Sequence, residues 1–315
     1  MPELPEVESA RAVIARHALR RPISDVDDTD SYVCRPHRPG EMRAALVGRR
    51  LTAVHRRGKS MWCETSGVGR SRTPGPILGI HLGMSGKIVF GDGRGQEIDG
   101  GDYWERGRAP GDHRFNRFTL TFADGSFLML VDPRRLGRIR LDPPVEKLGP
   151  DALNIPPDLF RTALARGTAP VKARLLDQEA LAGVGNLLAD EALWQAGIRP
   201  SRPVDDLTPE EIDRLHQAVV GAVAAAVRGG GVHTLPVVPF RTKGATCPRC
   251  GTQADDQGRA ADMFGPYAPY RPIDDLKRTD GLPDLARHWC VHLLVCPQCG
   301  YRWQTARQEL FSRTP

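Results

Sequence analysis

Two near-identical cysteine turns near the C-terminus constrain the fold of this 315-residue chain more than any other feature. They read Cys247-Pro-Arg-Cys250-Gly and Cys296-Pro-Gln-Cys299-Gly. Four thiolates carried by two such turns predict a closed tetrahedral zinc site with Cys247, Cys250, Cys296 and Cys299 as ligands. A four-cysteine site has no open coordination position, so we expect the zinc ion to be structural and not catalytic.

The interval between the two cysteine turns is long for a simple zinc ribbon. We therefore expect an inserted loop within residues 252–286, and a β-hairpin closed by strands near 288–295 and 301–305. Two roles for this finger stay open: it staples the C-terminus, or it presents a basic side chain to a phosphate. The candidates for such a phosphate contact are Arg302, Arg307 and His292.

Charge and hydropathy narrow the class of partner. The chain has 44 Lys and Arg against 38 Asp and Glu, a net charge of +6 that suits a polyanion such as nucleic acid. No apolar run is long enough to span a bilayer, and the acidic N-terminus lacks the apolar segment of a signal peptide. We expect a cytoplasmic, nucleoid-associated protein without a membrane partner, and a monomer because no oligomerisation stripe is present.

Hydrophobic periodicity predicts an α+β protein of three domains. Residues 1–142 combine a helix over 5–20 with strand-like segments, including a hairpin over 118–131. They predict an N-terminal helix plus a β-rich sandwich or barrel, of which we expect the β-sandwich. A Gly-, Asp- and Arg-rich stretch over 91–111 predicts a loop.

The periodicity becomes helical in the second domain, residues 143–240, and the zinc finger occupies 241–315. The predicted helices of the second domain cover 158–166, 171–181, 187–196 and 209–228.

The N-terminus carries a candidate nucleophile. Removal of Met1 would expose the secondary amine of Pro2, which can form an iminium with a sugar aldehyde carbon. Glu3 and Glu6 follow closely and could move protons there. On the octapeptide alone a second interpretation stays open, a plain helix start with Pro5 at an early helical position and acids in the first turn.

A glycine-rich turn separates two predicted helices in the second domain. The first helix stops at Gly183, the chain turns through Gly185, and Asn186 is predicted to be the N-cap of the next helix. Backbone N–H groups at such a turn bind phosphate without reading sequence, and Lys172 could add a phosphate contact. A plain packing joint between helices is the alternative. Asp190 and Glu191 in the second helix are expected to serve packing or solvation rather than metal binding.

The order of these motifs along the chain resembles the formamidopyrimidine-DNA glycosylase and endonuclease VIII family of bifunctional DNA repair enzymes. The segments that carry the resemblance are residues 2–8, 57–59, 81–86, 132–137, 176–178 and 183–186, followed by the zinc finger. The resemblance implies a helix–two-turn–helix in the second domain. It also implies removal of oxidised bases from damaged double-stranded DNA and strand cleavage by β,δ-elimination, with no cofactor in the chemistry.

The resemblance also implies roles for particular residues. Pro2 would be the Schiff-base nucleophile, Glu3 the acid and base that opens the sugar, and Glu6 a supporting carboxylate. Lys59 would contact the phosphate beside the lesion and assist strand cleavage. The remaining implied DNA contacts are Lys172 and Asn186 on phosphates, and Met84, Arg134 and Leu136 in the gap left by the extruded base.

Three departures from the family pattern leave questions open. The family commonly has Phe where this chain has Leu136. The finger hairpin lacks the usual arginine, for which His292 or Arg287 could substitute. The segment over 231–247 is short, as in pyrimidine-type members, whereas 81–86 resembles the purine type, so the preferred base stays open.

Three functions follow from these observations. The first is an active glycosylase and AP lyase. The second, motivated by the missing arginine and the remodelled insert, is a catalytically weak or silent protein that binds lesions or abasic sites on the same scaffold. A sequence-specific regulator fits poorly, because phosphate contacts carry no sequence information.

Overall fold

The computed structural model describes residues 2–69, 71, 73–103, 108–144, 147–165, 167–235, 246–263, 276–278, 281–287 and 289–308. The helices are α1 Leu4–His17, α2 Glu41–Leu46, α3 Pro157–Leu164, α4 Val171–Leu176, α5 Asn186–Ala196, α6 Pro209–Gly229 and α7 Asp284–Arg287. The first nine strands are β1 Ile23–Asp27, β2 Leu51–Arg57, β3 Ser60–Thr65, β4 Leu78–His81, β5 Lys87–Gly91, β6 Glu97–Gly101, β7 Asn116–Phe122, β8 Phe127–Val131 and β9 Arg138–Leu141. The last three strands are β10 Asp255–Arg259, β11 Trp289–Val295 and β12 Arg302–Gln308.

The N-terminal part is a sandwich of two antiparallel sheets with α1 packed into its core. One sheet has the strand order β1-β7-β8-β5-β6 and the other β2-β3-β4-β9. Apolar side chains from both sheets and from α1 form one buried cluster, to which Ile14, Met61 and Phe122 belong. The prediction of an α+β chain with an N-terminal helix and a β-sandwich is confirmed.

Strand β6 lies inside the stretch that was predicted to be a loop, so that prediction was wrong. Its backbone pairs with β5 over its whole length, from Lys87–Gly101 to Gly91–Glu97. A Cβ at Gly100 would lie 2.7 Å from the Ser9 carbonyl oxygen of α1. Glycine allows this close approach, but it also leaves the segment without the alternation of apolar and polar residues by which a strand is recognised in a sequence.

The helical part, α3 to α6, packs around a second buried cluster that includes Leu4 of α1. The helix predicted over 171–181 ends at Leu176, because Asp177 takes an extended conformation and its carboxylate accepts the N–H of Glu179. Among the described helices, none combines the length and the apolar character that crossing a bilayer requires.

The predicted C-terminal hairpin is present as β11 and β12, and the sheet is larger than expected. Strand β10, from within the predicted insert, pairs with β11 and gives the order β10-β11-β12. The expected boundary between 240 and 241 lies outside the described residues.

Candidate functional site

Glu3 links the N-terminal helix to the helical part of the molecule. It is the N-cap residue of α1, and its buried carboxylate accepts the backbone N–H groups of Gly185, Leu187 and Leu188 at 2.8–3.1 Å. The carboxylate therefore caps α5 from another part of the chain, where the helix dipole favours negative charge. Burial nevertheless raises the pKa of the Glu3 carboxyl, against the opposing effects of Lys59 and the N–H groups of Leu187 and Leu188.

Glu6 lies one turn further along α1 and is equally buried. Its carboxylate accepts the N–H of Glu3 at 2.9 Å and the N–H of Val232, beyond the end of α6, at 2.6 Å. Burial, and then the neighbouring Glu3 charge, raise the pKa of the Glu6 carboxyl to about 7. A carboxyl with this pKa can hold or release a proton near neutral pH.

Lys59 lies in the turn between β2 and β3 and is 8% exposed. Burial lowers the pKa of its ammonium group, while the charges of Glu3 and Glu6 oppose that change. The structure thus brings Glu3, Glu6 and Lys59 together; these three residues are called the N-terminal centre below.

Pro2 directly precedes the N-terminal centre in the chain and is buried. Met1, which must be removed to free the Pro2 amine, lies outside the described residues.

Glycines at three positions allow the close packing around the N-terminal centre. A Cβ at Gly58, which has φ +57°, would lie 2.7 Å from the Gly183 nitrogen. A Cβ at Gly185 would lie 2.4 Å from the Glu3 carboxyl carbon. The turn before Lys59 and the turn before α5 are therefore in backbone contact, a juxtaposition that only residues without a Cβ permit.

An interdomain ion network holds the same turn. Arg56 is nearly buried and pairs with Glu8 of α1 at 2.9 Å and with Asp151 at 2.6 Å. Asp151 also accepts the N–H of Gly58 at 2.7 Å. These contacts, which the sequence analysis missed, fix the position of the Lys59 turn relative to the helical part.

The structure places Met84, Arg134 and Leu136 on two adjoining loops. A Cβ at Gly83 would lie 2.4 Å from the Leu136 carbonyl carbon, so the loop of Met84 rests on the loop of Leu136. The buried Asp132 carboxylate accepts the Arg134 and Gly137 N–H groups, at 3.1 and 2.7 Å, and so holds the second loop. Arg134 is exposed.

His81 connects these loops to the N-terminal centre and was not singled out from the sequence. It lies at the end of β4, opposite Ser60 on β3 and Arg138 on β9. Its Nδ1 accepts the N–H of Gly83 at 3.1 Å. Burial, with the charges of Lys59 and Arg140, lowers the pKa of His81 to about 4, so the imidazole is neutral at pH 7.

Two of the predicted phosphate contacts differ from expectation in their surroundings. Lys172 on α4 is buried and pairs with Asp190 on α5 at 2.7 Å, so Asp190 is a specific ion-pair partner. Asn186 is the first residue of α5 and not its N-cap, which is Gly185. The N-cap prediction was wrong because the Glu3 carboxylate takes the capping role from a distance of about 180 positions in sequence.

The four finger cysteines fit a metal ion. All four sulfurs lie within 4.8 Å of one another, and three of the Sγ–Sγ distances are 3.4, 3.6 and 3.8 Å. A tetrahedral ion with Zn–S bonds of about 2.3 Å would separate its sulfurs by about 3.8 Å. The Arg249 and Cys299 N–H groups point at Cys247 and Cys296 Sγ, each at 3.4 Å, as expected for thiolate ligands.

His292 is not on the surface of the finger. It is buried on β11, where its Nδ1 pairs with Asp256 at 2.9 Å and its Nε2 lies 3.2 Å from Cys290 Sγ. This contradicts one of the candidate phosphate contacts. Arg302 and Arg287 are exposed, and the Arg307 side chain lies outside the described residues.

Comparisons with known proteins agree with this geometry. The formamidopyrimidine-DNA glycosylase N-terminal domain matches residues 1–139, and the formamidopyrimidine-DNA glycosylase H2TH domain matches 148–236. A formamidopyrimidine-DNA glycosylase of a Nocardioides species is 35% identical over 282 residues, covering 80% of this chain and 88% of the relative. One from a Parafrankia species is 34% identical over 246 residues, with 73% and 79% coverage.

Solved structures show the same similarity. The MutM (Fpg) protein of Thermus thermophilus has a TM-score of 0.61 at 31% identity, covering 82% of this chain and 94% of that one. The Lactococcus lactis Fpg in complex with DNA containing an abasic site has a TM-score of 0.61 at 25% identity, with 82% and 95% coverage.

The chain therefore belongs to the formamidopyrimidine-DNA glycosylase family and is a DNA glycosylase of base-excision repair. Membership of this family gives no support to the second hypothesis of the sequence analysis, a catalytically silent lesion-binding protein.

Proposed function

We propose that this DNA glycosylase is bifunctional and also cleaves the strand as an AP lyase, with the Pro2 amine as nucleophile. The observation that carries the proposal is the burial of Glu3, Glu6 and Lys59 around the start of α1. Two carboxyls whose pKa values are raised by burial, beside an amine, supply the proton movements that this chemistry needs.

In the proposed reaction the Pro2 nitrogen attacks C1′ of the damaged nucleotide. The electron pair of the C1′–base bond leaves with the base, which takes up the proton that the Pro2 nitrogen loses. Glu3 then delivers its proton to the sugar ring oxygen as the bond from C1′ to that oxygen breaks and the ring opens to an iminium. Glu6 holds the Glu3 backbone in place, because the Glu6 carboxylate accepts the N–H of Glu3. Loss of a C2′ proton then expels the 3′ phosphate, and a second elimination expels the 5′ phosphate. Lys59 binds the phosphate beside the lesion.

The wider DNA contacts follow the same proposal. Damaged double-stranded DNA is the partner, and Met84, Arg134 and Leu136 fill the gap left by the extruded base. Lys172 and Asn186 bind phosphates near the turn before α5. We propose zinc as the metal of Cys247, Cys250, Cys296 and Cys299, where it folds the finger and takes no part in the chemistry.

The proposal extends to the organisation and surroundings of the chain. We propose domains at 1–142, 143–240 and 241–315, a monomeric protein and a cytoplasmic, nucleoid-associated location. The separate clusters of buried apolar residues in the sandwich and in the helical part support the first domain boundary.

Borohydride trapping on DNA with an abasic site tests the chemistry. Mass spectrometry first establishes that Met1 is removed, and borohydride then reduces the iminium to a stable adduct. We expect an adduct from the parent protein and none from Pro2→Gly. Correctly processed parent protein that binds this DNA without forming an adduct would overturn the proposal and favour the silent binder.

A further inference from the structure

Three of the seven cysteines lie outside the metal cluster, and one of them has surroundings unlike those of the other two. Cys34 and Cys63 are fully buried in the sandwich, where burial raises the pKa of each thiol to about 12. Such thiols are inert. Cys290 on β11 is half-buried, and its Sγ lies 3.2 Å from Nε2 of His292, two residues further along the strand.

Asp256 on β10 holds His292 from the other side of the ring. The ring Nδ1 faces both Asp256 carboxylate oxygens, at 2.9 and 3.0 Å, and the same carboxylate accepts the N–H of Gly258 at 2.8 Å. Burial by itself would lower the pKa of His292, but hydrogen bonds to Asp256 and Cys290, together with their charges, raise it to about 9. The ring therefore carries a proton on each nitrogen at pH 7, one directed at a carboxylate and the other at a sulfur.

Cys290 also lines a pocket with an empty volume of about 270 Å³ beside β10, β11 and α7. Of the charged residues that line this pocket, Arg259 and Lys277 are basic and Asp284 is acidic. Lys277 donates from Nζ to the carbonyl oxygen of Trp289, the neighbour of Cys290, at 2.5 Å. Positive charge beside a partly exposed sulfur favours the thiolate, which is the nucleophilic form of cysteine.

The series Asp256–His292–Cys290 is not a second metal site. Asp256 and Cys290 contact opposite nitrogens of the His292 ring, so the three side chains do not surround a common point. A metal ion requires ligand atoms that converge on one centre. The arrangement is instead that of an activated nucleophile, in which a carboxylate orients an imidazole and the imidazole faces a thiol.

We propose that Cys290 is a modification site, at which a hydroperoxide such as hydrogen peroxide oxidises the thiolate to a sulfenic acid with the help of His292 and Asp256. The thiolate sulfur attacks one peroxide oxygen, so that an S–O bond forms and the O–O bond breaks. The leaving hydroxide takes the Nε2 proton of the His292 imidazolium and departs as water. The sulfur loses the two electrons that the peroxide gains. Asp256 is a positioning residue, which keeps the Nε2 proton directed at the sulfur.

Labelling of the full-length, zinc-loaded protein with hydrogen peroxide and dimedone tests this site. Dimedone, a 1,3-diketone, forms a stable adduct with a sulfenic acid, and peptide mass spectrometry gives a rate for each cysteine. We expect Cys290 to be labelled about 10-fold faster or more in the native protein than in the urea-unfolded chain, because only folding holds His292 against the sulfur. Cys34 and Cys63 should be labelled more slowly in the native protein, since folding buries them.

Two substitutions assign the activation to the partners of Cys290. His292→Gln, which removes the positive charge, should slow the native labelling of Cys290 by about 10-fold, and Asp256→Asn should slow it as well. Asp255→Asn is the matched control, because neighbouring positions on a strand face opposite sides of the sheet, and it should leave the rate unchanged. Metal analysis establishes that each variant retains a folded finger.

Two results would overturn the proposal. The first is native labelling of Cys290 that is no faster than labelling in the unfolded chain, a comparison that needs no variant and stands even where a substitution unfolds the finger. The second is labelling of metal-loaded His292→Gln at the parent rate, which would make Cys290 an accessible thiol without activation and its contact with His292 a packing contact.

Discussion

The finger cysteines and the N-terminal centre are assembled over very different distances along the chain. Each cysteine turn supplies two sulfurs, from residues three positions apart in the sequence. Both turns lie next to strands of one sheet, β10-β11-β12. The N-terminal centre instead joins Glu3 to the turn before α5, some 180 positions away, and to a second turn, which carries Lys59. The integrity of the cysteine cluster, built from two similar local turns, depends on its ligand atoms. The integrity of the N-terminal centre, built from distant segments, depends on how closely their backbones approach.

Loss of one finger ligand should have the largest effect. Cys296→Ser is expected to abolish metal binding, because removing one thiolate from a closed site removes the free energy that folds the finger. Metal analysis and binding to undamaged and lesion-containing DNA check this, and affinity should fall for both. Cys290→Ser, also in the finger but outside the cluster, is the control and should retain the metal. Normal lesion binding by metal-free Cys296→Ser would contradict the prediction.

A side chain that fills the space beside Glu3 should have the second-largest effect. In Gly185→Ala the new Cβ would lie 2.4 Å from the Glu3 carboxyl carbon, so the carboxylate must move. We expect about a 100-fold slower formation of the trapped adduct, with the metal content unchanged.

Gly221→Ala is the matched control for that change. Gly221 lies within α6 with open space where its Cβ would be, so the substitution should leave trapping intact and stabilise the protein by about 0.5–1 kcal/mol. Equal trapping by Gly185→Ala and the parent would show that the Glu3 contact with α5 does not matter for the chemistry.

The raised pKa of Glu6 predicts a pH dependence of stability. With a folded-state pKa of about 7, the stabilising effect of protonated Glu6 is complete below the ordinary pKa near 4.5 and is lost as the pH rises through 7. The free energy of unfolding of the parent, relative to Glu6→Gln, should therefore fall by roughly 1–3 kcal/mol between pH 5 and 8. Urea unfolding of both proteins across this range measures the difference, in which titrating groups distant from Glu6 cancel. A constant difference would refute the raised pKa.

The smallest expected effect concerns the ion pair between α4 and α5. Lys172→Ala should weaken binding to all DNAs alike, by about 3- to 10-fold, and lower the slope of log affinity against log salt by about one. Asp190→Asn provides the opposite test, because it releases Lys172 from its partner and should tighten binding. A defect confined to damaged DNA would instead place Lys172 near the lesion.

Much of the fold could be predicted because its signals are local. Apolar spacing predicted α1 and the helices α3, α5 and α6, and turn chemistry predicted the β7–β8 hairpin. Strand β6 escaped prediction because Gly100 serves contact with α1, and the end of α4 escaped because the Asp177 side chain competes with the helix.

Of the candidate sites, the cysteine cluster was determined by the sequence itself, since residue type and spacing specify a tetrahedral ligand set. The motifs of the N-terminus predicted which residues matter there, but only the tertiary structure decided their surroundings. It caps α5 with Glu3, pairs Lys172 with Asp190, buries His292 against Asp256 and stacks Tyr103 on His233. The physical reason is that periodicity and spacing record interactions within a few residues, while burial, pKa and partner choice arise from segments that meet only when both cores pack.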